Sequence, residues 1–307
     1  MKSRKGFSKA DGTSGYAYTN TRIKAMKAKL LKKEDYQKFL KMSLAEIARY
    51  LQETEYNKEI TELAVRFSGI NLIEYASNKN LENTFAKILG FALLQPKEQV
   101  RLYLRRYDVA NIKTILRGKF SKTSNEKISK EIIASGEFSR AFLENVIKES
   151  SNAADAIEHF KETEYYSILK EFSNDLTKLE DELDKSYYIT VLGNAEKELK
   201  DYIRMEIAVK NALNRLRGRK VNIKVEIIPR EKRINVPYQE DSVEARIFVK
   251  KLLIERAIRM VHEVKFNIRP ILGYFIAKEN EVSNIRLLTR GRHAGLSEEL
   301  IQKQLVI

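Results

Sequence analysis

The sequence predicts an all-α protein built from three copies of one helical unit. Three observations carry that expectation: few helix breakers, a twelve-residue segment that occurs three times, and apolar residues at helical spacing along most of the chain. Of 307 residues, 43% are hydrophobic and 32% charged, with only 4 Pro and 12 Gly, a balance that suits long helices joined by short connections. No proline falls between Pro96 and Pro229. The length suits two or three domains of roughly 100 to 200 residues each. Cysteine is absent, which excludes disulfides, thiolate metal sites and cysteine nucleophiles.

The recurring segments align without gaps. Residues 108–119 read DVANIKTILRGK, 208–219 read AVKNALNRLRGR and 281–292 read EVSNIRLLTRGR. They share Val109, Val209 and Val282, then Asn111, Asn211 and Asn284, then the pairs Arg117-Gly118, Arg217-Gly218 and Arg290-Gly291, each followed by a cation, Lys119, Arg219 or Arg292. A tetrapeptide, ETEY, stands at 53–56 and again at 162–165, and a similar Glu-Ile-Ile follows the first two Arg-Gly pairs at 131–133 and 226–228. These offsets describe a unit of about 100 residues, and a period of that kind is the mark of a repeat architecture. The third copy is shorter and has no ETEY of its own. The expected organisation is a flexible basic N-terminus at 1–13 and helical domains at 14–120, 121–222 and 223–307, the last preceded by an extended linker at 221–241.

Taken in order, periodicity and helix-forming residues predict helices at 21–33, 34–52, 60–70, 81–94, 138–150, 153–171, 176–185, 186–216, 242–264 and 296–305. One region dissents. Residues 221–228 alternate apolar and polar side chains, and 229–241 hold two prolines, which reads as extended chain with room for a short edge hairpin. The repeated segments read as the last turns of helices. Val109, Ile112 and Leu116 share one face, as do Val209, Ala212 and Leu216. Gly118, Gly218 and Gly291 are expected to end those helices in a left-handed conformation, with the flanking cations complementing the negative end of the helix dipole. A second reading presents Arg117, Lys119, Arg217, Arg219, Arg290 and Arg292 as three equivalent basic corners that bind a partner. Asn is a mediocre helix former, so Asn111, Asn211 and Asn284 are expected to be buried and bonded to a neighbouring loop or helix end. The ETEY tyrosines are expected to bury their rings and bond their hydroxyls.

The net charge of +15 favours an acidic partner: nucleic acid, an anionic membrane surface or an acidic protein face. Its distribution weakens the first, because residues 1–33 hold ten Lys or Arg against Asp11 alone and the remainder is near ordinary. The longest apolar run, 88–94, is far short of the roughly 20 residues a spanning helix needs, and the basic, Gly/Ser-rich start does not read as a secretory signal. Reaction signatures are missing. There is no phosphate loop and no GxGxxG, and His159, His262 and His293 lack a metal-ligand spacing. The acids of 171–184 suit a solvated helix face rather than a paired acid and base. No cofactor, metal or catalytic residue is expected.

Several segments together resemble the C subunit of archaeal and bacterial A/V-type ATP synthases, a family related to the d subunit of the vacuolar ATPase. They are 16–31 (YAYTNTRIKAMKAKLL), both ETEY sites, 108–119 and 280–302 (NEVSNIRLLTRGRHAGLSEELIQ). The resemblance implies three similar helical domains around a pseudo-threefold axis, forming a funnel on the cytoplasmic face of the membrane. It implies a non-catalytic central-stalk subunit, one copy per complex, that joins the D and F shaft subunits to the proteolipid ring. The chain departs from the family at its second-to-third junction, where Pro229-Arg230-Glu231 replaces a glycine-rich turn. The rival reading, a basic helical nucleic-acid-binding protein, lacks a helix-turn-helix, stacking-aromatic or zinc signature. An enzyme with a site between domains is a further, weaker rival.

Overall fold

The computed structural model describes residues 9–173, 175–218 and 242–307, with side chains from Gly15 onward. All regular structure among them is helical. The predicted extended linker and edge hairpin at 221–241 lie outside the described residues, as does Arg219.

The chain divides into two compact units, Met1–Val100 with Val243–Ile307, and Arg101–Ser242. The first holds α1 (Lys9–Lys27), α2 (Lys33–Phe39), α3 (Leu44–Gln52), α4 (Asn57–Leu63), α5 (Gly69–Phe91) and the start of α6 (Leu94–Leu104). The second holds the rest of α6, α7 (Arg106–Phe120), α8 (Asn125–Glu131), α9 (Arg140–Glu149), α10 (Ala153–Glu158), α11 (Tyr166–Leu169), α12 (Leu176–Asn194) and α13 (Lys197–Leu216). The chain then returns to the first unit as α14 (Val243–His262), α15 (Arg269–His293) and α16 (Glu298–Gln304).

In the first unit, α1, α3, α5, α14 and α16 all pack against α15. The core mixes the two ends of the chain, with Tyr36, Phe39, Ile47, Leu51, Tyr56, Ile60 and Ile73 clustered with Ile285, Leu288, Ile301 and Leu305. In the second unit α7 is the central helix, contacted by α8, α10 and α12. Its predicted face is buried, with Val109, Ile112 and Leu116 all enclosed. Phe138, Phe142, Phe160 and Tyr165 form an aromatic cluster beside it, with ring centroids 5.1 to 5.7 Å apart.

Helix borders depart from the sequence expectation where capping chemistry decides them. The predicted helix at 34–52 is two helices, because Ser43 and Glu46 form a reciprocal capping box that restarts the chain as α3. Asn152 and Asp175 cap α10 and α12 in one direction only, each accepting from a backbone N–H three residues on. The stretch 153–171 breaks at the second ETEY into α10 and α11, and the border expected at 185/186 falls instead between Asn194 and Lys197. The helices α6 and α8 had no sequence counterpart.

The endings of α7 and α15 correct the reading of their glycines. Gly118 and Gly291 lie inside their helices, and neither has a positive φ. The left-handed residues come four places later, Lys122 at φ 53° and Gly295 at φ 69°. Both ends carry the paired bonds of a Schellman motif: Thr123 N–H to Gly118 O at 2.8 Å with Lys122 N–H to Lys119 O at 3.3 Å, and Leu296 N–H to Gly291 O at 2.9 Å with Gly295 N–H to Arg292 O at 3.1 Å. Only Gly218, just after α13, has the expected left-handed conformation, at φ 64°.

What fixes Gly118 and Gly291 is a crossing helix. A Cβ on Gly118 would lie 2.5 Å from Ile128 Cδ1, and one on Gly291 2.7 Å from Ile301 Cγ1. Each isoleucine is fully enclosed ten residues beyond its glycine, and it presses onto bare helix backbone. Lys122 therefore holds a conformation that its counterpart Gly295 adopts without a Cβ penalty. Lys122→Gly is expected to raise the unfolding free energy by about 1 kcal/mol, read as an upward shift of the urea midpoint at unchanged slope; a fall would remove the strain argument.

Candidate functional site

The three repeated segments are the candidate site, and two of them can be compared in full. In α7, Asn111 Nδ2 donates to Ile133 O at 2.8 Å while its Oδ1 accepts from Ile133 N–H at 3.0 Å. In α15, Asn284 Nδ2 donates to Val306 O at 2.7 Å and Oδ1 accepts from Val306 N–H at 3.4 Å. Both partners stand 22 residues after the asparagine. Asn111 is 2% exposed and Asn284 is fully enclosed, so water offers no substitute for either bond. The expected buried, bonded asparagine is thus observed in both, and Asn211 is half-buried in α13.

Three residues before each clamp stands a buried acid. Asp108 accepts from the N–H groups of Glu137 and Phe138 at 2.9 and 3.0 Å. Glu281 accepts from Leu31 N–H at 2.5 Å, from the Tyr56 hydroxyl at 2.7 Å and from Lys278 Nζ at 2.6 Å. Tyr56 closes the first ETEY, and its ring is 1% exposed beneath Lys278, whose ammonium lies 4.1 Å from the ring centre. Tyr165 closes the second ETEY; it is 6% exposed and hydrogen-bonded to Arg105, and its hydroxyl pKa is pushed up to about 12 by burial and then by the charge of Asp108. The first ETEY tyrosine thus serves the acid of a repeated segment, while the second bonds Arg105 near Asp108. The first serves the segment in α15, at the other end of the chain.

The correspondence extends to the cations. Arg117 pairs with Glu180 of α12, and Arg290 Nε donates to Glu74 Oε1 of α5 at 2.5 Å. One turn along those acidic helices, Lys113 pairs with Asp184, and Arg286 donates to Asn78. Lys113 and Arg286 both stand two residues after their clamp asparagine. The run α7 to α12 is thereby matched by α15 and α16 followed by α2 to α5, a copy whose second part begins the chain.

The six cations of the expected basic corners have different surroundings. Arg117 and Arg290 keep 59% and 50% of their side chains exposed while paired to an acid. Lys119 is 7% exposed, its Nζ donating to Asn125 Oδ1 at 2.9 Å and to Ile147 O and Ser150 O at 2.5 Å, where it caps the C-terminal end of α9; burial lowers its pKa. Arg292 lies 3.8 Å from Glu298 at the start of α16. Arg217 follows α13 at an exposed position and makes interactions of its own. Sequence reasoning missed Glu74, Glu180 and Asp184, which sit on elements distant in the chain from the motif they complete, and Ile128 on the helix that follows it.

Removing either clamp side chain strands one backbone N–H, while Ile133 O still accepts from Ser135 N–H at 2.9 Å and Val306 O from Asn280 Nδ2 at 2.7 Å. Asn111→Ala and Asn284→Ala are each expected to cost about 1 to 3 kcal/mol in urea unfolding, from the one stranded donor; no loss would show that the clamp does not hold the segment.

Asp108 carries a pH dependence. Burial pushes its carboxyl up to about 6 against an unfolded value of 3.8, although the two N–H bonds oppose the shift. The folded state then holds the proton more tightly, so this group's contribution to stability is greatest below about pH 4 and is lost as pH rises to about 6. The cost of Asp108→Asn is expected to be largest at pH 4 and to shrink by up to about 3 kcal/mol by pH 7, at 1.36 kcal/mol per unit. Paired unfolding curves across that range check it, and a constant cost would contradict it.

Among the described residues no helix is long and apolar enough to cross a membrane, and no group of three or more His, Asp or Glu side chains is placed to hold a metal ion. Comparison with known proteins identifies a lineage. The family model described as "ATP synthase (C/AC39) subunit" matches residues 19–245 and 234–304. The chain is 37% identical over 350 aligned positions to the C subunit of the A-type ATP synthase of Methanosarcina acetivorans, covering 99% of this chain and 96% of the relative. It is 31% identical to the same subunit from Archaeoglobus fulgidus, covering 96% and 97%. The repeated segments, the clamp asparagines and the ETEY junctions all fall within the matched residues, and the chain belongs to the ATP synthase (C/AC39) subunit family.

Proposed function

We propose that this chain is a non-catalytic central-stalk subunit of an A/V-type ATP synthase. It couples a central shaft of D and F subunits to the membrane proteolipid ring, one copy per complex, on the cytoplasmic face. The observation that carries the reading is the end-to-end similarity to relatives named as the C subunit of A-type ATP synthases. The reading includes three similar helical domains around a pseudo-threefold axis in a funnel, with the sequence-based boundaries 14–120, 121–222 and 223–307. The correspondence of α7 to α12 with α15, α16 and α2 to α5 supports a recurring domain of this kind.

The physical chemistry suits a part that bears torque. A coupling element must resist bending, and here the repeated helices are tied to the chain that returns beside them by buried two-bond clamps and by isoleucines pressed onto bare backbone. Arg117 and Arg290, half-exposed at matched positions, are the members of the basic corners we propose for contact with acidic partner surfaces. Glu180 and Glu74 keep only 18% and 3% of their side chains exposed, so each anchors its arginine from beneath while half of the arginine stays open to a partner.

Removing the chain from its host membrane tests the reading. The expected result is a catalytic head that still hydrolyses ATP but separates from the ring, so that ion pumping fails while soluble ATPase activity persists. An intact, coupled complex in that strain would overturn it.

A further inference from the structure

The turn between α14 and α15 carries two large apolar side chains in the open. Val264 is 80% exposed and Phe266 59%, on either side of Lys265, and Ile258 on the last turns of α14 is 44% exposed. Exposed valines occur elsewhere, but this turn is braced. Asn20 of α1 donates from Nδ2 to Lys265 O at 2.8 Å and to Asn267 O at 3.2 Å, and Asn267 Oδ1 accepts from Arg269 N–H at 3.1 Å. Glu263 pairs with Arg269 and lies 3.3 Å from Lys265. The apolar tips are thus held outward by a fixed backbone, where a soluble surface would gain nothing from them.

Cations surround the turn. Asn20, Lys24 and Lys27 lie on one face of α1, at i, i+4 and i+7. The middle one, Lys24, is exposed, and Lys27 Nζ reaches the His262 ring at 2.8 to 3.0 Å. Arg259 is exposed on α14, and Lys265 keeps 56% of its side chain exposed. The segment that leads into this face, residues 1–33, holds ten Lys or Arg against one acid. Apolar tips ringed by cations on a rigid turn match an interface with hydrocarbon beneath a negative surface.

We infer that the α14–α15 turn is a membrane-contacting tip, in which Phe266 and Val264 enter the headgroup layer of an anionic bilayer while Lys24, Lys27, Arg259 and Lys265 face the lipid phosphates. The inference deepens the proposed setting in a membrane-bound complex, yet it fails separately, because it is read with purified protein and lipid alone. Charge supplies salt-sensitive attraction and the aromatic ring supplies depth.

The test is co-sedimentation of the full-length chain with vesicles of phosphatidylcholine, with or without phosphatidylglycerol, at low and high salt. Binding to the anionic vesicles, weakened by salt, is expected. The double variant Val264→Asp with Phe266→Asp should lower that affinity by roughly tenfold or more at an unchanged thermal midpoint, since both residues are exposed. Val65→Asp, at an 88% exposed valine in the turn after α4, is the control and should bind as the parent does. The proposal is overturned if the parent ignores anionic vesicles or if Val65→Asp loses as much. It is equally overturned if the double variant binds vesicles normally but no longer associates with the assembled complex, which would assign the turn to a protein partner.

Discussion

The structure hangs on one small interaction, the two-bond grip of a helix asparagine on a backbone amide 22 residues later. An asparagine side chain presents an acceptor and a donor on one plane, which is what a single residue's N–H and C=O require when both are buried. In α7 the grip holds Ile133, in α15 it holds Val306, and each fixes where the chain returns after its short helix. Once that return is fixed, Ile128 or Ile301 has one place to go, onto the glycine ten residues before it. The cations two and six residues after each asparagine are then set facing the next long helix. Aspartate could accept but not donate, and leucine could do neither.

This order explains which parts of the fold the sequence made legible. The register of Val, Asn and Arg-Gly was visible because the clamp, the core face and the glycine all sit within one helix, at fixed spacing. The role of the glycine was not. A glycine that ends a helix and one that admits a crossing side chain look alike beside Arg and Lys, and only the isoleucine ten residues on tells them apart. Gly218 takes the first role, while Gly118 and Gly291 take the second. Helix borders were misplaced for a related reason. Periodicity runs through 34–52 without a gap, and the break arises from Ser43 and Glu46 exchanging bonds with each other's backbone, a local preference that hydrophobic spacing does not register.

The basic corners show how charge in a sequence is redistributed by folding. Read as a string, Arg117, Lys119, Arg290 and Arg292 form two equivalent patches. In the folded chain Lys119 turns inward to two carbonyls at the end of α9 and to Asn125 at the start of α8, and its counterpart Arg292 stays near the surface beside Glu298. The flexible ammonium, with three donors, suits a converging set of carbonyls, whereas the planar guanidinium suits one carboxylate at an edge. The two copies share a backbone plan and spend their cations differently, so matched positions are a guide to geometry before they are a guide to binding.

The pairing of the first ETEY with Glu281 carries the deepest consequence for the first unit. Glu281 joins the N–H of Leu31, the hydroxyl of Tyr56 and the ammonium of Lys278 at one buried point. Its neighbours come from opposite ends of the chain, and the core around it mixes Tyr36 and Ile47 with Ile285 and Ile301. A carboxylate taken this far from water is stable only while its donors stay in place, and losing one leaves the charge short of compensation. Neither terminal part can therefore keep its packing without the other: the helices that begin the chain close the last repeated segment, where the second unit completes its own from contiguous sequence. The C-terminal helix α16 packs on α15, and its Ile301 belongs to the same buried cluster as Tyr36 and Ile47, more than two hundred residues away in sequence.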